Sequence, residues 1–298
     1  MRYHILNCNV IFWKGKEKVS MRQERRPEKI ILVQCKEQQG LDVLTEELEK
    51  NSIRLERCSE DNPAYEETAL YVCDSSAVAQ RLWEQKYPVI IALHEENSYE
   101  NFSKFTYAVQ DLPEVEADFF IKVWQRQKNI PWFVTETSRC YIREMATEDV
   151  DALYSIYSDP NVSRYTEQLF EDKDKEKAYI EDYIKNVYAY YGFGNWLVVR
   201  KEDDVVIGRA GFDYRPGFDE PELGFVFGTP YQGQGYAYEV CSKLMELCGP
   251  VYDLYKVRAL AEPENISSCK LLDKLGFHVE KEIVLEGKKY FYFLKEEL

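Results

Sequence analysis

The stretch Thr229-Pro230-Tyr231-Gln232-Gly233-Gln234-Gly235-Tyr236-Ala237 stands between an apolar run, Glu222-Leu223-Gly224-Phe225-Val226-Phe227, and a helical pattern that begins at Tyr236. A strand that turns through glycines into a helix has a definite electrostatic character. Successive backbone N–H groups converge at the helix N-terminus, glycine removes the Cβ that would obstruct them, and the positive end of the helix dipole faces the same place. Together they make a nest for a pyrophosphate. By itself the same turn also serves as an ordinary tight corner of an α/β protein, so the flanking residues have to decide.

Working outward, the apolar periodicity predicts strands at Cys140 to Glu144, Trp196 to Arg200, Val205 to Tyr214, Glu222 to Phe227, Val257 to Ala261, Val279 to Leu285 and Tyr290 to Leu294. Helices are predicted at Thr147 to Ser158, with Thr147 and the nearby acids at its start, and at Lys173 to Tyr191, Tyr236 to Leu247 and Ile266 to Leu275. Hairpin turns are read at Glu202-Asp203-Asp204 and Pro216-Gly217. Downstream of the glycine turn, Asn265-Ile266-Ser267-Ser268 is followed by Leu271-Leu272-Asp273-Lys274-Leu275-Gly276-Phe277.

These residues carry a resemblance. Gln232-Gly233-Gln234-Gly235-Tyr236-Ala237 is similar to the Q/R-x-x-G-x-G/A acetyl-coenzyme A loop of GNAT acetyltransferases at every fixed position. The strand Glu222 to Phe227 with Pro230-Tyr231 resembles the subgroup of ribosomal-protein N-terminal acetyltransferases, and Asn265 to Ser268 with Leu275-Gly276-Phe277 resembles the family's second motif. The resemblance covers slightly more than half of the chain. It implies a GNAT fold, a mixed-sheet α+β domain, over residues 132–298, using acetyl-CoA as co-substrate and no metal. The activity implied is direct transfer of an acetyl group to an amine of a small molecule or of a peptide or protein N-terminus. The alternative is a non-catalytic acetyl-CoA-binding regulatory protein.

Residue by residue, the resemblance implies that the amides of Gly233, Gln234, Gly235, Tyr236 and Ala237 hold the pyrophosphate, with Gln232 framing the loop. Backbone groups near Phe225, Val226 and Phe227 pair with the pantetheine arm, and Asn265 is a side-chain contact to the coenzyme. An amine acceptor is mostly protonated at neutral pH, with an ordinary pKa of about 8 for an α-amine and about 10.4 for lysine, so a base or water chain must take its proton. Glu222 is the candidate base, or else a solvated strand-edge carboxylate. Many relatives place an acidic tyrosine where this chain has Leu272, which leaves Ser268 as the candidate acid unless it only caps its helix. Tyr165 and Glu167 are candidates for the acceptor pocket, or exposed loop residues. Cys269 reads as a packed helix residue, because direct attack needs no covalent enzyme intermediate.

The N-terminal half has another rhythm. Strands are predicted at Ile30 to Val33, Ile53 to Arg57, Ala69 to Cys73, Val89 to Leu93 and Tyr107 to Val109, with helices at Leu41 to Lys50, Ser76 to Lys86 and Glu114 to Gln127. This alternation predicts a small parallel α/β domain over residues 29–131, preceded by an arm over residues 1–28 in which Met21 is a candidate start. Asn129-Ile130-Pro131-Trp132 is the expected junction. Asp74 reads as a helix N-cap rather than a catalytic carboxylate, and His94-Glu95-Glu96-Asn97 as a polar strand end rather than a metal site. The half reads as non-catalytic, open to homodimerisation or acceptor selection, with a substrate-binding or phosphate-handling role as the competing view.

Composition sets the outer limits. Across 298 residues, 45% are apolar and 31% charged, as in a globular protein of two domains. The run Val10 to Trp13 is far too short to span a bilayer and lacks a secretory pattern, so the cytoplasm is the expected setting. Eight scattered cysteines with no C-x-x-C pair argue for buried thiols and against zinc. A net charge of −15 argues against nucleic acid. From Arg139 onward there are 20 Lys and Arg against 30 Asp and Glu, an imbalance that steers a cationic acceptor or simply serves solubility.

Overall fold

The computed structural model describes residues 25–36, 39–59 and 63–296. The chain divides into two compact units, and the division between them falls between Trp132 and Phe133. Most of the predicted arm, with Met21, lies outside the described residues. Within its last residues, the Arg25 carbonyl accepts from Gln125 at 2.8 Å and the Glu28 N–H donates to the Thr68 carbonyl at 2.8 Å.

The first unit contains β1 (Lys29–Val33), α1 (Leu41–Lys50), β2 (Arg54–Cys58), β3 (Ala69–Cys73), α2 (Ser76–Glu84), β4 (Val89–Ala92), β5 (Ala108–Val109) and α3 (Ala117–Gln127). All neighbours are parallel, in the order β2-β1-β3-β4-β5. Alternating side chains of the central strands feed two cores. Ile30, Leu32, Leu70 and Val72 pack with Leu44 and Leu48 of α1 and Phe120 and Val123 of α3. Ile31, Val33, Tyr71 and Cys73 pack on the other face with Val78, Ala79 and Leu82 of α2. Because the sheet is covered on both faces, β3 is buried at all five positions. The helix α3 begins at Ala117, three residues later than the periodicity predicts, because Leu112–Glu114 forms a separate 3-10 turn with Pro113 in its first positions.

The second unit runs β6 (Phe133–Glu136), β7 (Cys140–Arg143), α4 (Val150–Tyr157), α5 (Pro160–Ser163), α6 (Lys173–Tyr183), α7 (Ala189–Tyr191), β8 (Asn195–Arg200), β9 (Val206–Asp213), β10 (Glu222–Phe227), α8 (Tyr236–Tyr252), β11 (Lys256–Ala261), α9 (Ile266–Lys274), β12 (His278–Leu285) and β13 (Lys288–Glu296). Eight strands lie in the order β12-β13-β11-β10-β9-β8-β7-β6, all antiparallel except β10 with β11. Trp196, Phe212, Leu223, Val240, Cys241, Leu244 and Phe293 belong to one continuous core.

Three elements depart from the sequence reading. The helix predicted over Lys173 to Tyr191 is interrupted by a π-helical turn at Ile184–Tyr188. The helix predicted to end at Leu247 continues through Gly249 and Pro250 to Tyr252, whose ring lies 5.5 Å from Trp196 and 5.8 Å from Phe193. Core aromatic packing therefore outweighs the helix-breaking pair. The third departure is that α4 begins only at Val150, because Thr147–Asp149 forms a separate 3-10 turn, closed by the Asp149 carboxylate, which accepts the Ala146 N–H at 2.7 Å and both terminal nitrogens of Arg143 at 2.7 and 2.8 Å.

Candidate active site

The ladder between β10 and β11 has one register pair, Glu222 with Arg258. On its other side β10 pairs with β9 at all six residues, and β11 pairs with β13 at all six. The two parallel strands therefore touch at their N-terminal ends and part toward Phe227, leaving the β11-facing edge of Leu223 to Phe227 without a strand partner. A strand edge left open in the middle of a sheet presents backbone N–H and C=O groups that a ligand can satisfy.

The open fork leads into the glycine turn. Gly233 and Gly235 lie at φ +71° and +84°, a left-handed backbone that favours glycine, and a Cβ at Gly233 would meet open space. Gly235 precedes the first residue of α8 and no side chain caps that helix, so the N–H groups of its first turn have no intrahelical acceptor. Gln232 to Gly235 are exposed. The Gln232 amide donates to the Phe227 carbonyl at 2.8 Å, tying the loop to the end of β10.

A second layer holds this loop in shape, built from residues that the sequence reading did not select. Arg139 donates from Nη1 to the Gln234 carbonyl at 3.0 Å and lies over the Tyr236 ring at 4.0 Å. With that carbonyl held by Arg139, the N–H of the same trans peptide, on Gly235, points the opposite way. Arg139 Nε is itself paired with Glu239 at 2.7 Å, while the Arg139 backbone N–H and the Ser138 hydroxyl both donate to Glu239 at 2.9 Å. Burial alone would raise the Glu239 carboxyl, but donors from Thr137, Ser138 and Arg139 outweigh it and bring it down to about 2. The turn before β7 is thereby stapled to the first turn of α8.

At the closed end of the fork, Glu222 meets two guanidinium groups. Its Oε2 lies 2.7 Å from Arg258 Nη1 and 3.2 Å from Arg215 Nε. Arg215 also reaches Glu167 at 2.9 Å, so the loop bearing Glu167 is joined to β10 by a chain of charges. On β9, Asp213 stands opposite Glu222 and accepts from the Tyr183 hydroxyl at 2.9 Å and the Asn195 amide at 3.2 Å. Burial pushes the Tyr183 phenol well above its ordinary range.

Tyr165 is half-buried and donates to the Glu264 carbonyl at 3.4 Å, one residue before Asn265. Asn265 is the N-cap of α9: its Oδ1 accepts the Ser268 N–H at 3.2 Å and the Ser267 hydroxyl at 3.0 Å. The capping group is thus the asparagine, and Ser268 is linked to it through its backbone. Cys269 is partly buried, and burial raises its thiol. Four other cysteines, Cys73, Cys140, Cys241 and Cys248, are buried and unpaired. No cluster of three or more potential metal ligands occurs among the described residues.

In the first unit, Asp74 does not cap α2. Its carboxylate accepts the Lys36 N–H at 2.6 Å and lies 3.2 Å from His94 Nε2, and the Ser76 N–H at the helix start donates instead to Glu100 at 2.5 Å. Asn97 ties the same corner by donating to the Asp74 and Ala92 carbonyls at 2.8 and 2.9 Å.

A parallel strand pair that opens onto an uncapped helix behind a glycine turn brings a free strand edge and free helix N–H groups to one place. Residues 139–278 match the model of the acetyltransferase (GNAT) domain. The chain is 31% identical over 169 residues to the uncharacterized N-acetyltransferase YnaD of Bacillus subtilis, covering 54% of this chain and 96% of that one. It is 34% identical over 149 residues to the uncharacterized N-acetyltransferase p20 of Bacillus licheniformis, covering 48% of this chain and 82% of that one. A GNAT-family acetyltransferase from Bacillus anthracis superposes with a TM-score of 0.47 at 23% identity, over 55% of this chain and 98% of that structure. The chain belongs to the GNAT acetyltransferase family, through its second unit, and is an acyltransferase. The family generally uses acetyl-CoA, and none of the described helices is long and apolar enough to cross a membrane.

Proposed function

We propose that the second unit transfers the acetyl group of acetyl-CoA directly to the amine of a small molecule or of a peptide N-terminus. The observation that carries this reading is the fork: β10 and β11 meet only at Glu222 and Arg258, and their open edge runs into the left-handed glycines and uncapped start of α8. The pyrophosphate is assigned to the amides of Gly233 to Ala237, framed by Gln232, and the pantetheine arm to the open edge at Phe225, Val226 and Phe227. Asn265 is assigned to the coenzyme through its amide nitrogen, since its oxygen is engaged as a helix cap.

In the reaction, a base removes a proton from the ammonium and the nitrogen lone pair attacks the thioester carbon. The C–N bond forms, the C–S bond breaks, and the leaving thiolate takes a proton. Glu222 at the closed end of the fork is proposed as the base, and Ser268 as the group that passes a proton to sulfur. Tyr165 and Glu167 line the acceptor side, supported by their bonds to the segment before Asn265 and, through Arg215, to Glu222. The segment Glu222 to Phe227 with Pro230-Tyr231 favours the ribosomal-protein N-terminal subgroup, and the excess of acid from Arg139 onward suits a cationic acceptor. The first unit is read as non-catalytic, because Asp74, His94 and Asn97 bond to one another and to their own strand ends.

The test is calorimetry with acetyl-CoA followed by thiol release with an amine panel comprising spermidine, an aminosugar and a tetrapeptide with a free N-terminus. Binding with turnover on one of these supports the reading; absence of acetyl-CoA binding by folded protein refutes it.

A further inference from the structure

We infer that Arg258 is a positioning residue for acetyl transfer, fixing the Glu222 carboxylate at the closed end of the fork. The inference rests on the reading of Glu222 as the base.

Arg258 is 0% exposed. Its backbone N–H donates to the Pro221 carbonyl at 2.9 Å, its Nε donates to the Glu220 carbonyl at 3.1 Å, and its guanidinium stacks 3.9 Å from the Phe218 ring centre. These contacts leave the guanidinium little freedom. Nη1 lies 2.7 Å from Glu222 Oε2, yet neither Nη1 nor Nη2 completes a hydrogen bond among the described residues. The pairing is therefore ionic contact with the N–H vectors off line.

A buried cation with unsatisfied donors is poor structural material, since a well-packed apolar side chain of similar volume serves stability as well or better. What Arg258 provides that an apolar residue does not is a fixed positive charge on one oxygen of Glu222. A strand glutamate with three rotatable side-chain bonds otherwise samples several staggered rotamers. A base must first lie within hydrogen-bond reach of the proton it removes. Arg258 holds Oε2 from the buried side at 2.7 Å, which fixes where the carboxylate meets the acceptor. Arg215 touches the same oxygen at 3.2 Å, but its side chain is 41% exposed and shared with Glu167, so solvent screens it. The anchoring falls to Arg258.

The experiment is a double-mutant cycle on the full chain with the best acceptor of the spermidine, aminosugar and tetrapeptide panel. Arg258→Lys keeps the charge and loses the Nε bond to Glu220 and the stacking on Phe218 that fix its place. We expect kcat to fall about 10- to 100-fold, acetyl-CoA Kd to stay within about twofold, and Arg258→Lys to cost less than about threefold in a Glu222→Gln background. Multiplicative losses in the double variant, or a wild-type rate for Arg258→Lys, overturn the inference. Glu222→Gln at the wild-type rate removes Glu222 as base and this inference with it, and that single variant identifies the case. Arg215→Met, at an exposed site that does not threaten folding, is expected to cost less than about fivefold; a loss equal to or larger than that of Arg258→Lys would transfer the role to Arg215 and refute the assignment.

Discussion

Glu239→Gln is the perturbation that tests whether the glycine loop, proposed to hold the coenzyme, is held from behind. In the folded chain the Glu239 carboxyl is lowered from 4.5 to about 2, and its side chain is 20% exposed, so solvent screens it little. That difference corresponds to roughly 3 kcal/mol of stability at neutral pH, at about 1.4 kcal/mol for each pKa unit. The glutamine keeps the shape and an acceptor oxygen but loses the charge, so a loss of about 2–3 kcal/mol is expected. The group is an acid with a depressed value in the folded state. Its contribution is therefore complete above the unfolded value of 4.5 and disappears as pH falls through the folded value of about 2. The difference between wild type and variant should shrink to roughly half by pH 3.

The assay is urea unfolding of both proteins from pH 7 to pH 3, following the transition that acetyl-CoA shifts upward, with calorimetry of acetyl-CoA at pH 7. Releasing Arg139 from Glu239 frees the Gln234 carbonyl, so acetyl-CoA affinity should fall by about tenfold, the loss of one charge-assisted hydrogen bond. Equal stability and affinity at pH 7, or a stability gap independent of pH, would refute the argument.

Other perturbations separate the remaining assignments. Gly235→Val forces a β-branched residue to φ +84° and places its Cβ 3.6 Å from Arg139 Nη2, so calorimetry should show acetyl-CoA binding lost at least 100-fold in protein whose circular dichroism is unchanged. Glu222→Gln should lower the rate by about 10²–10⁴-fold at neutral pH, with the loss shrinking toward pH 10 as the acceptor deprotonates by itself; a pH–rate profile reads this, and a loss constant with pH would instead assign Glu222 to holding the cationic acceptor. Limited trypsin digestion should cut at Lys128 and leave a resistant fragment beginning near Phe133, read by mass spectrometry. Absence of such a fragment would argue for a single fused unit.

Much of the architecture was open to reading because it repeats simple periods. The fully apolar run Ala69 to Cys73 has the composition of a strand covered on both sides, and β3 is buried throughout. The alternation of strands and helices before Pro131 predicts parallel pairing, which the first sheet has. The strand order β2-β1-β3-β4-β5 was not open to the same reading, because periodicity assigns elements but not neighbours. Short or interrupted elements also escaped. The strand Phe133–Glu136 has four residues and lies directly after the Pro131 break, and the helix Pro160–Ser163 is a single turn begun by proline. At Gly249-Pro250 local propensity pointed to a stop, and the burial of Tyr252 against Trp196 carried the helix onward.

The candidate site divides along the same physical line. Backbone chemistry leaves a sequence signature, because a left-handed φ favours glycine and a helix without a capping side chain lacks Ser, Thr, Asp or Asn at its start. Gly233 and Gly235 are therefore visible in the sequence. Side chains that act on that backbone from a distance leave none. Arg139 reaches Gln234 and Glu239 from about a hundred residues away, and Arg258 reaches Glu222 across a strand pairing that exists at one position only. A lone arginine within a strand pattern, such as Arg258 in Val257-Arg258-Ala259, does carry a weaker signal: a charge in an otherwise apolar run must find a partner once buried. Its partner follows from the sheet order, since β11 lies beside β10 and the carboxylate at the start of β10 is Glu222. The register that opens the fork thus also sets a buried cation against the carboxylate proposed to start the chemistry.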